Sequence, residues 1–158
     1  MDYRRYLDYF SMSPIGAAQS FVIGLGAGII ALVLTRVLDS YVFSPVLCQP
    51  ADAQYCTNVA TYSMVSATIV AHAAGLLLLI KTGVLRPLLV VIAAVLTAWN
   101  SLHWLDGTTW WIAMLYSGLV VGLSYLLYTW INRLSSFPIA LGVTVVSVLA
   151  VRILLMAV

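Results

Sequence analysis

The side chain best suited to proton or hydrogen-bond chemistry in this sequence is His72. Thr61, Thr68 and His72 are spaced at i, i+7 and i+11, so they share one face of a helix. They lie in an apolar stretch, where an ionisable side chain usually faces protein or water and is a functional candidate. One interpretation is a polar path lined by these three residues. The other is a neutral imidazole that bonds to a backbone carbonyl or to a hydroxyl on a neighbouring helix.

The only two cysteines, Cys48 and Cys56, offer a second kind of chemistry. They lie in a polar segment that we expect to face an oxidising, extracytoplasmic compartment, where a disulfide is favoured. The bridge would restrict the unfolded chain and stabilise the fold by about 2–3 kcal/mol. Thiol–disulfide exchange is the alternative, but redox motifs generally use C-x-x-C spacing. The sequence also lacks the second relay pair that a membrane oxidase usually has.

A set of polar residues is expected at similar height near one membrane surface. Its members are Arg36, Asp39, Asn100, His103, Asp106 and Arg152. The simple interpretation is that the arginines snorkel and the other residues cap helices. The alternative is a shared cup that binds an anion or a partner.

The sequence contains few side chains that could bind a metal or a cofactor. Glutamate is absent and the acids are five aspartates. His72 and His103 are expected to differ in depth by more than about 10 Å from the helical rise, which argues against a shared metal or a haem. Hydrolase, zinc-protease and nucleotide-binding motifs are not found. We therefore predict no metal site, no cofactor and no enzymatic activity.

The elements that would position these residues are membrane-spanning helices. Of 158 residues, 63% are hydrophobic and 8% are charged, against about 25% charged in soluble domains. About 20 apolar helical residues cross the hydrocarbon of a bilayer. We predict a single all-α membrane domain over 1–158, a bundle of five transmembrane helices. The spans are about 15–37, 58–80, 87–105, 109–131 and 137–157, with an interfacial segment over 1–13 and an extracytoplasmic loop over 39–57.

The positive charges predict the orientation of this bundle. With five spans, five basic residues fall on one side: Arg4, Arg5, Lys81, Arg86 and Arg133. Cytoplasmic loops are enriched in Lys and Arg, which places the N-terminus in the cytoplasm and the C-terminus outside. The first span is too long for the apolar region of a signal peptide, so we expect a retained anchor.

Small residues recur every four positions in the spans and predict close helix packing. The rows are Gly16, Ser20, Gly24 and Gly28 in span one; Ser63, Ala67, Ala71 and Gly75 in span two; and Gly118 and Gly122 in span four. In an antiparallel pair, the rows of spans one and two would lie at similar depth. Packing within the chain is one interpretation; packing against another subunit and chance occurrence are the others.

These features favour a non-enzymatic polytopic membrane protein that acts as a subunit, stabiliser or regulator of a larger membrane assembly. The expected partners are the lipid bilayer and other membrane subunits or further copies of the chain, with no nucleic acid. The expected location is the bacterial inner (plasma) membrane. The alternative is a small oligomeric transporter or channel whose polar path includes His72. A thiol oxidoreductase that uses Cys48 and Cys56 is the least favoured interpretation, because the two cysteines are not spaced as C-x-x-C.

Overall fold

The structure is a computed structural model that describes residues 13–48, 53–99, 108–134 and 136–157, without the side chains of 53–57 and 155–157. In these ranges the chain forms helices and turns only. The all-α prediction is therefore confirmed for the described residues.

The first helix begins where the sequence predicts. Helix α1 (Pro14–Val37) has Ser13 as its N-cap, and the Ser13 hydroxyl accepts a bond from the N–H of Gly16 at 3.1 Å. Pro14 occupies the first turn, where its missing N–H costs nothing. The helix continues through a π-helical segment (Leu38–Phe43) into the short α2 (Ser44–Leu47), so it is unbroken over 34 residues.

Two helices of unequal length follow. Helix α3 (Ala53–Lys81) ends at a turn in which Gly83 has a φ of 72°. That left-handed conformation suits glycine because it has no Cβ. The N–H groups of Gly83 and Val84 bond to the carbonyls of Ile80 and Leu79 and so cap the end of α3. Helix α4 (Pro87–Ala98) begins next and has only 12 residues.

The last two helices are α5 (Trp110–Ile131) and α6 (Phe137–Ala157). Helix α5 is the centre of the bundle, since α1 and α4 pack on it and α3 packs on α1. Helix α6 lies at the side, against α4 and α5, and buries only a narrow strip that includes Ala140, Thr144 and Val148.

Four helical stretches of the described chain are long and apolar enough to cross a membrane: Pro14–Leu47, Asn58–Lys81, Trp110–Ile131 and Phe137–Leu154. They correspond to predicted spans one, two, four and five. Predicted span three is not matched by a helix of membrane length. The described helix α4 stops at Ala98 after about 18 Å, which is shorter than the roughly 30 Å thickness of the hydrocarbon. The rest of that span, 100–105, lies outside the described residues. A helical bundle with four membrane-length helices is what the structure supports, and the fifth crossing stays a prediction.

Candidate functional site

Tyr125 of α5 lies at the centre of the bundle and is completely buried. A Cβ atom added to Gly24 of α1 would lie 2.7 Å from the Cβ of Tyr125, and one added to Gly75 of α3 would lie 2.7 Å from its hydroxyl. The side chain is thus wedged between α1 and α3. It fits there because both helices carry glycine at the contact.

Helices α1 and α5 approach each other closely along the same row. A Cβ on Gly28 would lie 2.5 Å from the backbone oxygen of Ser117, and one on Gly118 would lie 3.1 Å from the Ile29 side chain. The hydroxyl of Ser117 donates to the Gly28 carbonyl at 2.9 Å, across the two helices. In apolar surroundings, such close backbone contacts and interhelical hydrogen bonds drive helix association.

The small-residue row of α1 meets the row of α5 most closely. Gly24 and Gly28 lie against Gly122 and Gly118 of α5. Toward α3, the Tyr125 side chain occupies the space between Gly24 and Gly75. The remaining members lie on α1 and α3: Gly16 is partly buried, and Ser20, Ser63, Ala67 and Ala71 are buried.

His72 lies beside Tyr125, and the two form what we call the central polar pair. Their ring centroids are 6.1 Å apart and the rings are tilted by 50°. The Nδ1 atom of His72 is 3.0 Å from the carbonyl oxygen of Thr68, one turn earlier in the same helix. That contact resembles the structural interpretation of His72, except that the carbonyl belongs to its own helix. The buried Nε2 of His72 and the hydroxyl of Tyr125 have no hydrogen-bond partner in the described chain.

A small cavity of about 40 Å³, the central cavity, adjoins His72. Thr68, His72, Trp99 and Ser117 are among its lining residues. A site needs about 10–15 Å³ to hold a water molecule, so there is room for two or three. Thr61, the third residue of the predicted polar path, is exposed and does not line the cavity. The structure therefore brings Thr68 and His72 to one site and leaves Thr61 apart.

A second tyrosine of α5 shows how a buried hydroxyl can be satisfied. The Tyr128 hydroxyl is 2.6 Å from the hydroxyl of Thr97, which also donates to the carbonyl of Ala93. Sequence reasoning did not single out Tyr125, Tyr128 or Thr97. The available signal was two tyrosines inside an apolar helix, away from the membrane interfaces where aromatic residues usually concentrate.

The predicted outer polar set falls only partly within the described residues. Asn100, His103 and Asp106 lie outside them. Arg36 is exposed and Asp39 is partly buried. Arg152 donates to the carbonyl of Trp99 at 3.1 Å, a favourable place for a cation because it is the end of helix α4.

The described residues include only part of the predicted cysteine pair and no cluster of metal ligands. Cys48 follows α2, whereas the side chain of Cys56 lies outside the described residues, so their disulfide stays a prediction. Within the described ranges, no three His, Cys, Asp or Glu residues come together as metal ligands would.

The fold and the central polar pair define an apolar helical bundle with a buried polar centre. Family models, curated proteins and solved structures give no match for this chain.

Proposed function

We propose that this chain is an integral protein of the bacterial inner membrane, crossing it five times with its N-terminus inside. We further propose that it works as a non-enzymatic subunit, stabiliser or regulator of a larger membrane assembly. The exposed side chains of the long helices support the first part. They are mainly large aliphatic groups, such as Leu77, Leu123 and Ile153, and these are suited to lipid.

The distribution of charge supports the orientation. Lys81, Arg86 and Arg133 lie at one end of the bundle, which we call the inner end. Asp39, the only acid among the described residues, lies toward the opposite, outer end. Clustered Lys and Arg mark the cytoplasmic side.

The observation that carries the assembly role is the length of the first two long helices. Pro14–Leu47 extends about 51 Å and Ala53–Lys81 about 43 Å, against roughly 30 Å of hydrocarbon. Both therefore continue past the outer end of α5. We call the described parts of this extension, 38–47 and 53–60, the outer hairpin.

The outer hairpin presents apolar groups beyond the hydrocarbon. Tyr41 is 79% exposed and Val46 is 67% exposed. Phe43 contacts Tyr62 of α3, with ring centroids 6.5 Å apart, so this extension of the first helix packs on α3. Apolar side chains exposed to this extent outside lipid are available for contact with another protein. The predicted Cys48–Cys56 bridge would join the two arms at their tip.

Native purification in mild detergent, followed by mass analysis, tests this proposal. We expect a stoichiometric larger partner with the wild-type chain, and its loss in Tyr41→Ser/Val46→Ser. The control is Leu85→Ser, which changes a similarly exposed residue (64%) at the inner end. It should retain the partner. If the wild type carries no partner, or if the double variant retains it, the assembly role is wrong.

A second candidate, a small oligomeric transporter or channel, is favoured by one observation. His72 lines the central cavity, and in the described chain its buried Nε2 and the neighbouring Tyr125 hydroxyl have no hydrogen-bond partners. Buried polar groups inside a membrane protein often mark a path for protons or ions. This candidate predicts a homo-oligomer with pH-dependent flux in liposomes that His72→Ala abolishes. Flux that survives His72→Ala excludes the path through this residue.

A further inference from the structure

Trp99 lines the central cavity and also faces the outside of the bundle. It is 39% exposed, whereas the other residues that line the cavity are buried or half-buried. Thr68 and His72 belong to the wall of the same cavity. Trp99 is therefore the most exposed part of the wall around these two polar residues, and it has the largest side chain there.

The position of Trp99 depends on a bond to another helix. Helix α4 ends at Ala98, and Trp99 follows it with a φ of −58° and a ψ of 128°, outside the helical region. Its carbonyl accepts a hydrogen bond from Nη2 of Arg152 at 3.1 Å, which joins α6 to the end of α4. Because the ends of helices fray, this bond holds a part of the chain that α4 alone does not fix.

The depth of Arg152 in the bundle makes this bond unusual. Ser117 lines the same cavity as Trp99, and it lies about 10 Å along α5 from Trp110, the outer end of that helix. In the proposed membrane position, a cation at that depth is costly and usually marks a functional site. In the described chain Arg152 is half-buried and bonds to a backbone carbonyl rather than to an acid.

Helix α6, which carries Arg152, is the least buried of the long helices. Only 17% of its apolar window is buried, against 39% for α5. Elements with few buried contacts open at a lower cost in free energy than the core does. A shift of α6 would move Arg152 away from Trp99 and release the end of α4.

We propose that Trp99 is a gate of the central cavity and that Arg152 holds this gate closed. While their bond is formed, Trp99 separates Thr68 and His72 from the outside of the bundle. When α6 moves and the bond breaks, Trp99 moves outward and water enters the cavity, which has room for a few molecules. The gate rests on the membrane position proposed above and requires neither a partner protein nor transport.

The rate at which a small thiol reagent reaches the cavity tests the gate in the full chain, purified in mild detergent. The parent chain carries Cys48→Ser/Cys56→Ser, which removes the native thiols, and Thr68→Cys, which places one thiol in the cavity wall. Methyl methanethiosulfonate is added, and the intact mass is followed with time. Arg152→Met removes the bond to Trp99 but keeps a long side chain, Arg152→Lys keeps a charged donor, and Trp99→Ala removes the gate.

We expect Arg152→Met and Trp99→Ala to be labelled at least about tenfold faster than the parent, since the loss of a hydrogen bond from a charged donor shifts an opening equilibrium by that order. Arg152→Lys should restore much of the slow rate. The matched control is Arg36→Met, which removes an exposed arginine of α1 and should be labelled at the rate of the parent.

A second thiol position distinguishes an open gate from a loosened bundle. Ala67 is completely buried and does not line the cavity, so Ala67→Cys in place of Thr68→Cys should be labelled slowly in every variant. Equal rates in the parent and Arg152→Met, or equal acceleration at both positions, overturn the proposal. If Arg152→Met does not fold, Trp99→Ala carries the test, and a rate equal to that of the parent overturns the gate. A wrong membrane position is recognised separately, because alkaline carbonate would then extract the chain from membranes.

Discussion

Buried polar side chains in this bundle follow two patterns. Most bond to a carbonyl of their own helix, as Ser63 does to Val59, or to a neighbouring helix, as Ser117 does to Gly28. The Tyr125 hydroxyl and Nε2 of His72 do neither in the described chain. Because an unsatisfied buried donor costs about 1–3 kcal/mol, keeping these groups lowers stability. A functional role would explain why they are present.

The two buried tyrosines of α5 provide a matched test of this view. Tyr128→Phe should lower stability by about 1 kcal/mol, because it removes the 2.6 Å contact with Thr97. Tyr125→Phe should leave stability unchanged or raise it, because the hydroxyl that it removes has no hydrogen-bond partner among the described residues. Thermal unfolding in detergent measures both changes. A larger loss in Tyr125→Phe than in Tyr128→Phe would contradict the assignment and indicate a bound water or ligand on Tyr125.

At this residue scale, the sequence predicted part of the site. The sequence identifies His72 as a candidate, because an ionisable group is rare in an apolar segment. It does not identify Tyr125, because a tyrosine in an apolar helix is equally consistent with an ordinary core residue. Its importance depends on Gly24 and Gly75, which lie on two other helices. No pattern within span four shows that these two glycines share one neighbour.

At the scale of elements, the packing of α1 on α5 decides the shape of the bundle. The row of small residues at every fourth position predicts a surface for close approach. It does not predict the partner helix, because α3 and α5 both carry small residues at suitable depth. Helix α1 packs most closely on α5, because Ser117 and Gly118 allow its backbone to contact Gly28. The large Tyr125 ring then fills the space toward α3.

Two glycines of α1 that lie close in sequence test this packing. A Cβ on Gly28 would lie 2.5 Å from the Ser117 oxygen, whereas one on Gly26 would meet nothing within 4 Å. Gly28→Ala should therefore destabilise the bundle by about 1–3 kcal/mol through overpacking. Gly26→Ala should be neutral or slightly stabilising, because alanine favours helix. Equal unfolding temperatures for the two variants would show that α1 and α5 do not meet along this row.

The two cysteines lie at the tip of the outer hairpin. Cys48 follows α2 and Cys56 belongs to the first turns of α3, so a bridge would close a short loop between two helices. We expect alkylation without reductant to leave the mass of the purified chain unchanged, and reduction to expose two reactive thiols. Removal of the bridge by Cys48→Ser/Cys56→Ser should lower stability by about 2–3 kcal/mol. Alkylation of both cysteines without reductant would refute the bridge.

At the scale of the whole molecule, helix α4 determines how many times the chain crosses the membrane. Its 12 described residues cover about 18 Å, so a crossing has to be completed by residues 99–105. Five crossings predict that a reporter fused after Gly83 is cytosolic and one fused after Val158 is outside. Green fluorescent protein should therefore be bright only at the first position, and alkaline phosphatase active only at the second. Fluorescence at both positions would refute the five crossings.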